Sequence, residues 1–404
     1  MALLSFGNVA SGFGVVASVV WIGQFARNLI QRGRRIRLSA CEGIEPDDGW
    51  PSLAVIVAAR DEEAMIESSI RSLLAQDYPA VEIIAIDDRS SDRTGTLLDA
   101  LAREDHRLQA VHITDLPSGW LGKTNALQQG ADASIARWLL FTDADVIFAP
   151  GVLRRAVALA EEANLDHLIA SWDPITPTIG ERMFMALFTL MLVFKSSWSG
   201  VEDRDQRTSI GAGAFNLVRA EVFETIGGFR RIKLSIDEDM RLGQAIKYAG
   251  YRAKVVDGIG QISLRWQVGL GGMIRGLEKN FFAALDFRLP LVFATAVAML
   301  FLTLAPMLGL FVGPLWTRVV CGLGIAATAG LLSLVTTGRR NGWIYALALP
   351  LSGPIMVYAL LRSAFLTIGR KGVTWRGRLY PLHELRAHVG LRNYWLHEVW
   401  HSTR

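Results

Sequence analysis

A chain of 404 residues can hold one large domain or two ordinary ones, but 51% of these residues are hydrophobic and the mean hydropathy is +0.29, too apolar for an ordinary soluble enzyme. The net charge of +4 is small, and basic residues gather beside apolar runs, which favours a membrane surface over a nucleic-acid groove. The two cysteines, Cys41 and Cys321, lie far apart, so no disulfide framework or CxxC metal site is readable, in keeping with a reducing compartment.

Residues 1–26 carry no charge and are followed by Arg32, Arg34, Arg35 and Arg37. A cleaved leader would place positive charge before its apolar stretch, so residues 1–30 read as an uncleaved transmembrane anchor. The basic flank predicts an outside N-terminus and a cytosolic chain beyond it.

From residue 50 two periodicities alternate. LAVIVAA (53–59) and VEIIAIDD (81–88) are short, branched and apolar, as in buried strands. Between them Ile66, Ile70, Leu73 and Leu74 recur at helical spacing until Tyr78-Pro79. A helix from Asp92 to Arg103, a strand at 108–113, a helix after Lys123 and a strand at 138–142 continue the pattern. This predicts an α/β, mostly parallel sheet with right-handed crossovers.

In such sheets ligands bind beyond the carboxyl ends of the strands. Four strand ends here carry polar groups: Arg60, Asp61 and Glu62; Asp87 and Asp88; Gly122 and Lys123; Asp143 and Asp145. A single acidic strand end is an ordinary turn, but four on one rim predict a site. The first strand is followed by AARDEE rather than GxGxxG, which argues against a dinucleotide. Several carboxylates beside phosphates call for a divalent cation, and oxygen ligands suit Mg2+ or Mn2+. Lys123 adds positive charge for a diphosphate, so the expected ligand is a sugar nucleotide.

The runs VIVAARDEE, AIDDRSSDRTG, WLGKTNAL, FTDADV and SIDEDMRLGQAIKYAGYR resemble, in their order, a membrane-bound family 2 glycosyltransferase of the GT-A fold. They are similar to ceramide glucosyltransferase-like and carotenoid- and hopanoid-type lipid glycosyltransferases. The resemblance implies that Ala59, Asp61 and Asp87 line the nucleotide pocket, that Asp88 binds the base, and that Lys123 approaches the diphosphate. It implies that Asp143 and Asp145 form the DxD that holds ribose and metal, and that Glu238 and Asp239 are the catalytic acidic pair, with Asp239 as general base. GAGAFNLVRAEVFETIGGF (211–229) resembles the acceptor-side segment between them. Processive members carry QxxRW, whereas Gln261 here stands one residue too far from Arg265-Trp266. A single transfer is therefore expected rather than polysaccharide synthesis, and Arg265-Trp266 reads equally as a sugar or diphosphate contact and as a membrane-surface anchor.

MFMALFTLMLVF (183–194) is apolar on every face but too short to span, and reads as either a buried helix or an interfacial acceptor groove. Residues 289–317, 319–338 and 341–361 are free of charge and long enough to cross. Three crossings would leave the tail outside, yet Arg370, Lys371, Arg376 and Arg378 argue that it is inside. The third stretch holds Pro350 and Pro354 around Ser352-Gly353, so a re-entrant or broken segment is open. The expected domains are the anchor (1–30), a glycosyltransferase domain with an interfacial segment (31–285), a transmembrane region (286–368) and a basic, histidine-containing tail (369–404).

The expected activity is inverting transfer from a nucleotide sugar, such as a UDP-sugar, to a membrane lipid or lipid-linked acceptor at the inner face of the cell membrane, with no nucleic-acid partner. Other readings are weaker. HEVWH (397–401) matches HExxH, but no third zinc ligand follows, so incidental surface histidines are expected. An aspartyl phosphatase would place DxD after its first strand, not its fourth. A scaffold that had lost catalysis would not need the full set of acids.

Overall fold

The computed structural model describes residues 2–195, 198–203, 205–335 and 342–402. It separates into two compact units, Met1–Arg34 with Thr176–Lys195 and Gln267–His383, and Arg35–Ile175 with Ser196–Trp266 and Glu384–Arg404.

The chain opens on α1 (Ala2–Gln31). Strand and helix then alternate through β1 (Leu53–Ala59), α2 (Ile66–Leu74), β2 (Val81–Asp88), α3 (Thr94–Glu104), β3 (Leu108–Ile113), α4 (Gly122–Asp132) and β4 (Trp138–Asp143). The next stretch holds β5 (Val146–Phe148), α5 (Val152–Glu162), β6 (His167–Ala170), β7 (Asp173–Pro174), α6 (Ile179–Lys195) and α7 (Trp198–Glu202). It continues with β8 (Asn216–Arg219), α8 (Ala220–Thr225), α9 (Glu238–Tyr248), β9 (Ala253–Val256) and β10 (Ile262–Leu264). The remainder is helical apart from one hairpin: α10 (Gly269–Gly276), α11 (Asn280–Ala284), α12 (Leu289–Phe311), α13 (Leu315–Val335), α14 (Leu349–Gly369), β11 (Gly372–Trp375), β12 (Arg378–Pro381) and α15 (Leu382–Ser402).

Seven strands form one sheet in the order β3-β2-β1-β4-β8-β6-β9, with β8 alone antiparallel to its neighbours. The alternation dictates this, since a parallel neighbour needs a crossover helix. Successive side chains of β1 feed opposite faces of the sheet. Leu53, Val55 and Val57 join one core with α2, α3 and α5, while Ala54 and Ile56 join the other with Phe141, Phe223 and Phe229. Both faces are covered, so β1 reads as an unbroken apolar run.

The tail helix belongs to this unit. Leu396 is buried in the second core, Trp400 stacks on Tyr248 at 5.1 Å, and Trp395 lies under the Arg231 guanidinium at 5.7 Å. His397 and His401 are exposed, as expected of incidental surface histidines, whereas His388 is 8% exposed. Burial first, then the charges of Arg392 and Lys233, push its pKa down to about 4.

The other unit gathers four helices long and apolar enough to cross a membrane, Ala10–Gln31 and all of α12, α13 and α14. The protein is thus membrane-associated in build. MFMALFTLMLVF is the body of α6, with Phe184, Met185, Leu187 and Leu190 buried, as in an ordinary packed helix. Its start is a capping box: the Glu181 carboxylate accepts the Thr178 N–H at 3.0 Å, and also caps α10 through Gly269 N–H at 2.6 Å. The last apolar helix begins at Leu349 rather than 341, with Pro350 in its first turn, where a missing N–H is harmless. It runs on past Arg362, whose charge is met by Glu278 at 3.1 Å.

The three rings Phe141, Phe223 and Phe229 pack edge to face or tilted, with centroids 5.0 to 5.5 Å apart. Truncation by Phe229→Ala should cost about 3–5 kcal/mol. A lowered thermal-unfolding midpoint of the purified protein checks this.

Candidate active site

The parallel register sets the rim. Ala59 lies opposite Asp87, Ala58 opposite Asp143, and Asp87 opposite His112, so four strands end together. The loop after β1 turns at once, with Asp61 in the left-handed region (φ 52°). That conformation is uncommon for a non-glycine residue and here it is locked. The Asp61 carboxylate accepts the Ser91 N–H at 2.7 Å and its hydroxyl at 3.0 Å, and the Asp61 N–H donates to Ser90 Oγ. Asp87 Oδ1 accepts the Ser90 N–H at 3.2 Å, and its other oxygen meets His112 Nδ1 at 3.1 Å. The second aspartate of the pair, Asp88, is buried and bound by both arms of Arg89, at 2.8 and 3.0 Å.

The charged centre lies between α4, β4 and α9. Lys123, in the first turn of α4, places its Nζ against Asp143 Oδ1 and 2.6 Å from Glu238 Oε1. Burial disfavours the ammonium, but the charges of Asp143, Glu238 and Asp239 outweigh it and hold the lysine pKa well above its usual value. Glu238 opens α9 and is only 4% exposed. The neighbouring Asp239 has both oxygens fixed, accepting the Gly213 N–H at 2.8 Å and the Met240 N–H at 2.7 Å. Its pKa is pushed up to about 7, first by burial and then by the Glu238 charge, with Lys123 opposing. Asp237, at the N-cap position, makes no cap hydrogen bond and instead pairs with Arg241 at 3.0 Å.

Asp145 sits two residues past Asp143 on the turn into β5. Burial, then the charges of Asp143 and Glu62, raise its pKa to about 7. Such crowding of carboxylates is what a divalent cation relieves, and both donors are oxygens. Among the described residues no group of three His, Cys, Asp or Glu side chains is placed to enclose an ion. A cation at Asp143 and Asp145 would complete its shell with phosphate oxygens and water, the habit of Mg2+. The residues fit that group.

Gly213 is a site residue that the motif pattern does not single out. It joins the DxD side to the α9 side: its N–H holds Asp239, and a Cβ on it would lie 2.6 Å from Asp143 Oδ2. The signal was the GAG triplet, read only as part of a longer segment. Arg265 and Trp266 follow β10, with Trp266 packed on the main core, and the Gln261 side chain is taken by Arg155. On α15 the His397 and His401 rings stack at 4.3 Å.

A rim of carboxylates around one half-buried lysine lies at the strand ends of a mostly parallel sheet, where ligands bind in such folds. Residues 54–227 match the family model for Glycosyl transferase family 2. The chain carries a family 2 glycosyltransferase domain of the GT-A fold, and is a glycosyltransferase. It is 25% identical over 339 residues to the 4,4'-diaponeurosporenoate glycosyltransferase of Staphylococcus aureus (strain MRSA252), covering 82% of this chain and 88% of that one. The protein of that name from strain USA300 is 25% identical over 342 residues with the same coverage. The mannosyltransferase PcManGT from Pyrobaculum calidifontis, solved with GDP-Man and Mn2+, shares the fold with a TM-score of 0.50 and 17% identity, covering 90% of this chain and 98% of that chain.

The contact at Gly213 yields a direct expectation. Gly213→Ala should leave the fold intact but move Asp143 and Asp239 apart, and displacements near 1 Å can cost about a hundredfold in rate. Single-turnover transfer with an unchanged circular dichroism spectrum is the measurement.

Proposed function

We propose that the protein moves one sugar from a nucleotide sugar, such as a UDP-sugar, to a membrane lipid or lipid-linked acceptor, with inversion at the anomeric carbon. The carrying observation is the placement of Lys123 between Asp143 and Glu238, with Asp239 next in the chain and held by Gly213. One cluster thereby offers a cation for the leaving diphosphate and a carboxylate for the attacking hydroxyl. The lipid acceptor is supported by the four apolar helices and by relatives named for 4,4'-diaponeurosporenoate.

In this reading Ala59, Asp61, Asp87 and Asp88 hold the nucleoside, and Asp88 exchanges its Arg89 contact for the base. A divalent cation, Mg2+ or Mn2+, held by Asp143 and Asp145, neutralises negative charge on the diphosphate when bound. Lys123 stabilises the same charge from its half-buried position, where it counts for more than in water. Asp239 accepts the proton of the acceptor hydroxyl as it attacks from the face opposite the leaving group. Arg265 and Trp266 contact the acceptor or the diphosphate. The catalytic unit faces the cytosol in this reading, which the basic residues at the ends of the membrane helices favour.

Lipid mass spectrometry tests the activity. The purified protein, reconstituted in vesicles of host lipid and given a panel of nucleotide sugars, should produce a lipid heavier by one sugar residue. Excess chelator should abolish the product, and Mg2+ or Mn2+ should restore it. Hydrolysis of donor without any glycosylated lipid would overturn the acceptor assignment.

The base assignment is separately testable. Asp239→Asn can keep both backbone hydrogen bonds but cannot take a proton, so turnover should fall by at least about a hundredfold with donor affinity nearly unchanged. Asp237→Asn loses only the Arg241 pair and should stay near wild type. Because the Asp239 pKa is raised to about 7, the wild-type rate should fall as pH drops below that value. A flat profile between pH 6 and pH 8, on the order of one pH unit either side, would exclude it as the base.

A further inference from the structure

The directions of the membrane helices carry an inference about how the chain threads the bilayer. On α1, a side chain at Gly14 would lie 2.8 Å from the Ala305 carbonyl, and further along Trp21 Nε1 donates to the Leu302 carbonyl at 2.8 Å. Contacts that move up α1 therefore move down α12, and the two run antiparallel. Against α13 the order is Gly14 with Cys321, Ser18 with Gly324 and Phe25 with Gly330, so α13 runs parallel to α1. These three make an ordinary up-and-down set, closed by the short turn between Phe311 and Leu315.

The last apolar helix breaks the alternation. A side chain on Gly353 would run into Thr303, fourteen residues past the start of α12. Ten residues later Ser363 accepts the Phe282 N–H at 3.0 Å and donates to the Glu278 carbonyl at 2.6 Å, before α12 begins. Arg370, at the far end, reaches Glu278 at 2.7 Å. So α14 is antiparallel to α12 and parallel to α13, although it follows α13 in the chain. Two successive helices can point the same way only if the chain between them returns through the same depth. At 1.5 Å per residue, the return reaches at least about 21 Å above the start of α12. Its described part includes the 3₁₀ turn Gly342–Ala346, packed on α13, where Leu347 N–H bonds to Ile344 O and Ala348 N–H to Tyr345 O. Local bonds of this kind are what irregular backbone inside a membrane needs.

We infer that the return limb holding Gly342–Ala346 and α14 form a re-entrant hairpin, so that the chain crosses the membrane with α1, α12 and α13 only, and α15 emerges on the face where the catalytic unit sits. Two independent observations agree. Glu384–Arg404 is part of the same compact unit as Arg35–Ile175, which an odd number of crossings after Trp266 would forbid. The positive residues also fall at one set of helix ends: Arg32 and Arg35 after α1, Lys279 and Arg288 before α12, Arg370 and Lys371 after α14. Among the described residues the one basic side chain at the opposite ends, Arg318, is bound to the Gly313 carbonyl at 3.1 Å.

Side-specific labelling decides this without reference to the reaction. Single reporters are Ile135→Cys in the catalytic unit, Ser402→Cys in α15 and Leu315→Cys at the α12–α13 turn, each exposed and each in a Cys41→Ser background. With a membrane-impermeant maleimide, Leu315→Cys should react in one membrane orientation, intact cells or inverted vesicles, and both Ile135→Cys and Ser402→Cys only in the other. Reaction of Ser402→Cys together with Leu315→Cys would overturn the hairpin. A protease-cleavable tag after Arg404 repeats the comparison with no substitution. Cleavage from the side where Leu315→Cys labels would overturn it equally.

Discussion

The half-buried Lys123 ammonium, set among carboxylates, is the interaction on which the catalytic unit turns. Removing an ammonium and a carboxylate from water costs several kcal/mol per ion, recovered only when partners are close and well placed. Here α4 supplies the cation, β4 supplies Asp143 and α9 supplies Glu238, so three elements far apart in sequence must arrive together. The sheet order makes this possible, because β4 sits beside β1 in the middle of the seven strands and α4 packs against β1 and β2. Carboxylates still outnumber cations, and burial loads the excess onto Asp239 and Asp145, whose pKa values rise towards neutrality. Such a cluster is held in tension until positive charge or a proton arrives, which suits a site that meets an anionic donor.

Much of this frame was legible in the residues. The strands 53–59 and 81–88 were readable to the residue because each is a largely buried apolar run bounded by turn or charged residues. The strand 108–113, buried only at its two ends, followed from the alternation of strand and helix. The rim of acids followed, since every parallel strand points its carboxyl end the same way. The pairing of Lys123 with Asp143 and Glu238 was not legible, because no periodicity links residues twenty and more than a hundred positions apart. Nor was the role of α15, whose buried stripe of Leu385, His388, Arg392, Leu396 and Trp400 has the right spacing but includes two residues that read as polar surface. The last apolar stretch was misjudged in extent for a related reason. Absence of charge ends at Arg362, whereas the helix continues because Glu278 meets that charge.

The make-up of the catalytic unit also bears on how the protein is made. Its second core is assembled from the first half of the sheet, from α9, and from Leu396 on α15, with the membrane helices α12 to α14 inserted between. Leu396 is thus synthesised after all of those apolar helices. The domain therefore waits, with its Phe141 face uncovered, through the whole of membrane insertion. Proteins that join distant segments fold slowly, and uncovered apolar surface invites aggregation or proteolysis. Nascent chains of this enzyme should depend on a chaperone until α15 has been made, and truncation before Leu396 should yield a membrane-inserted product that quality control removes.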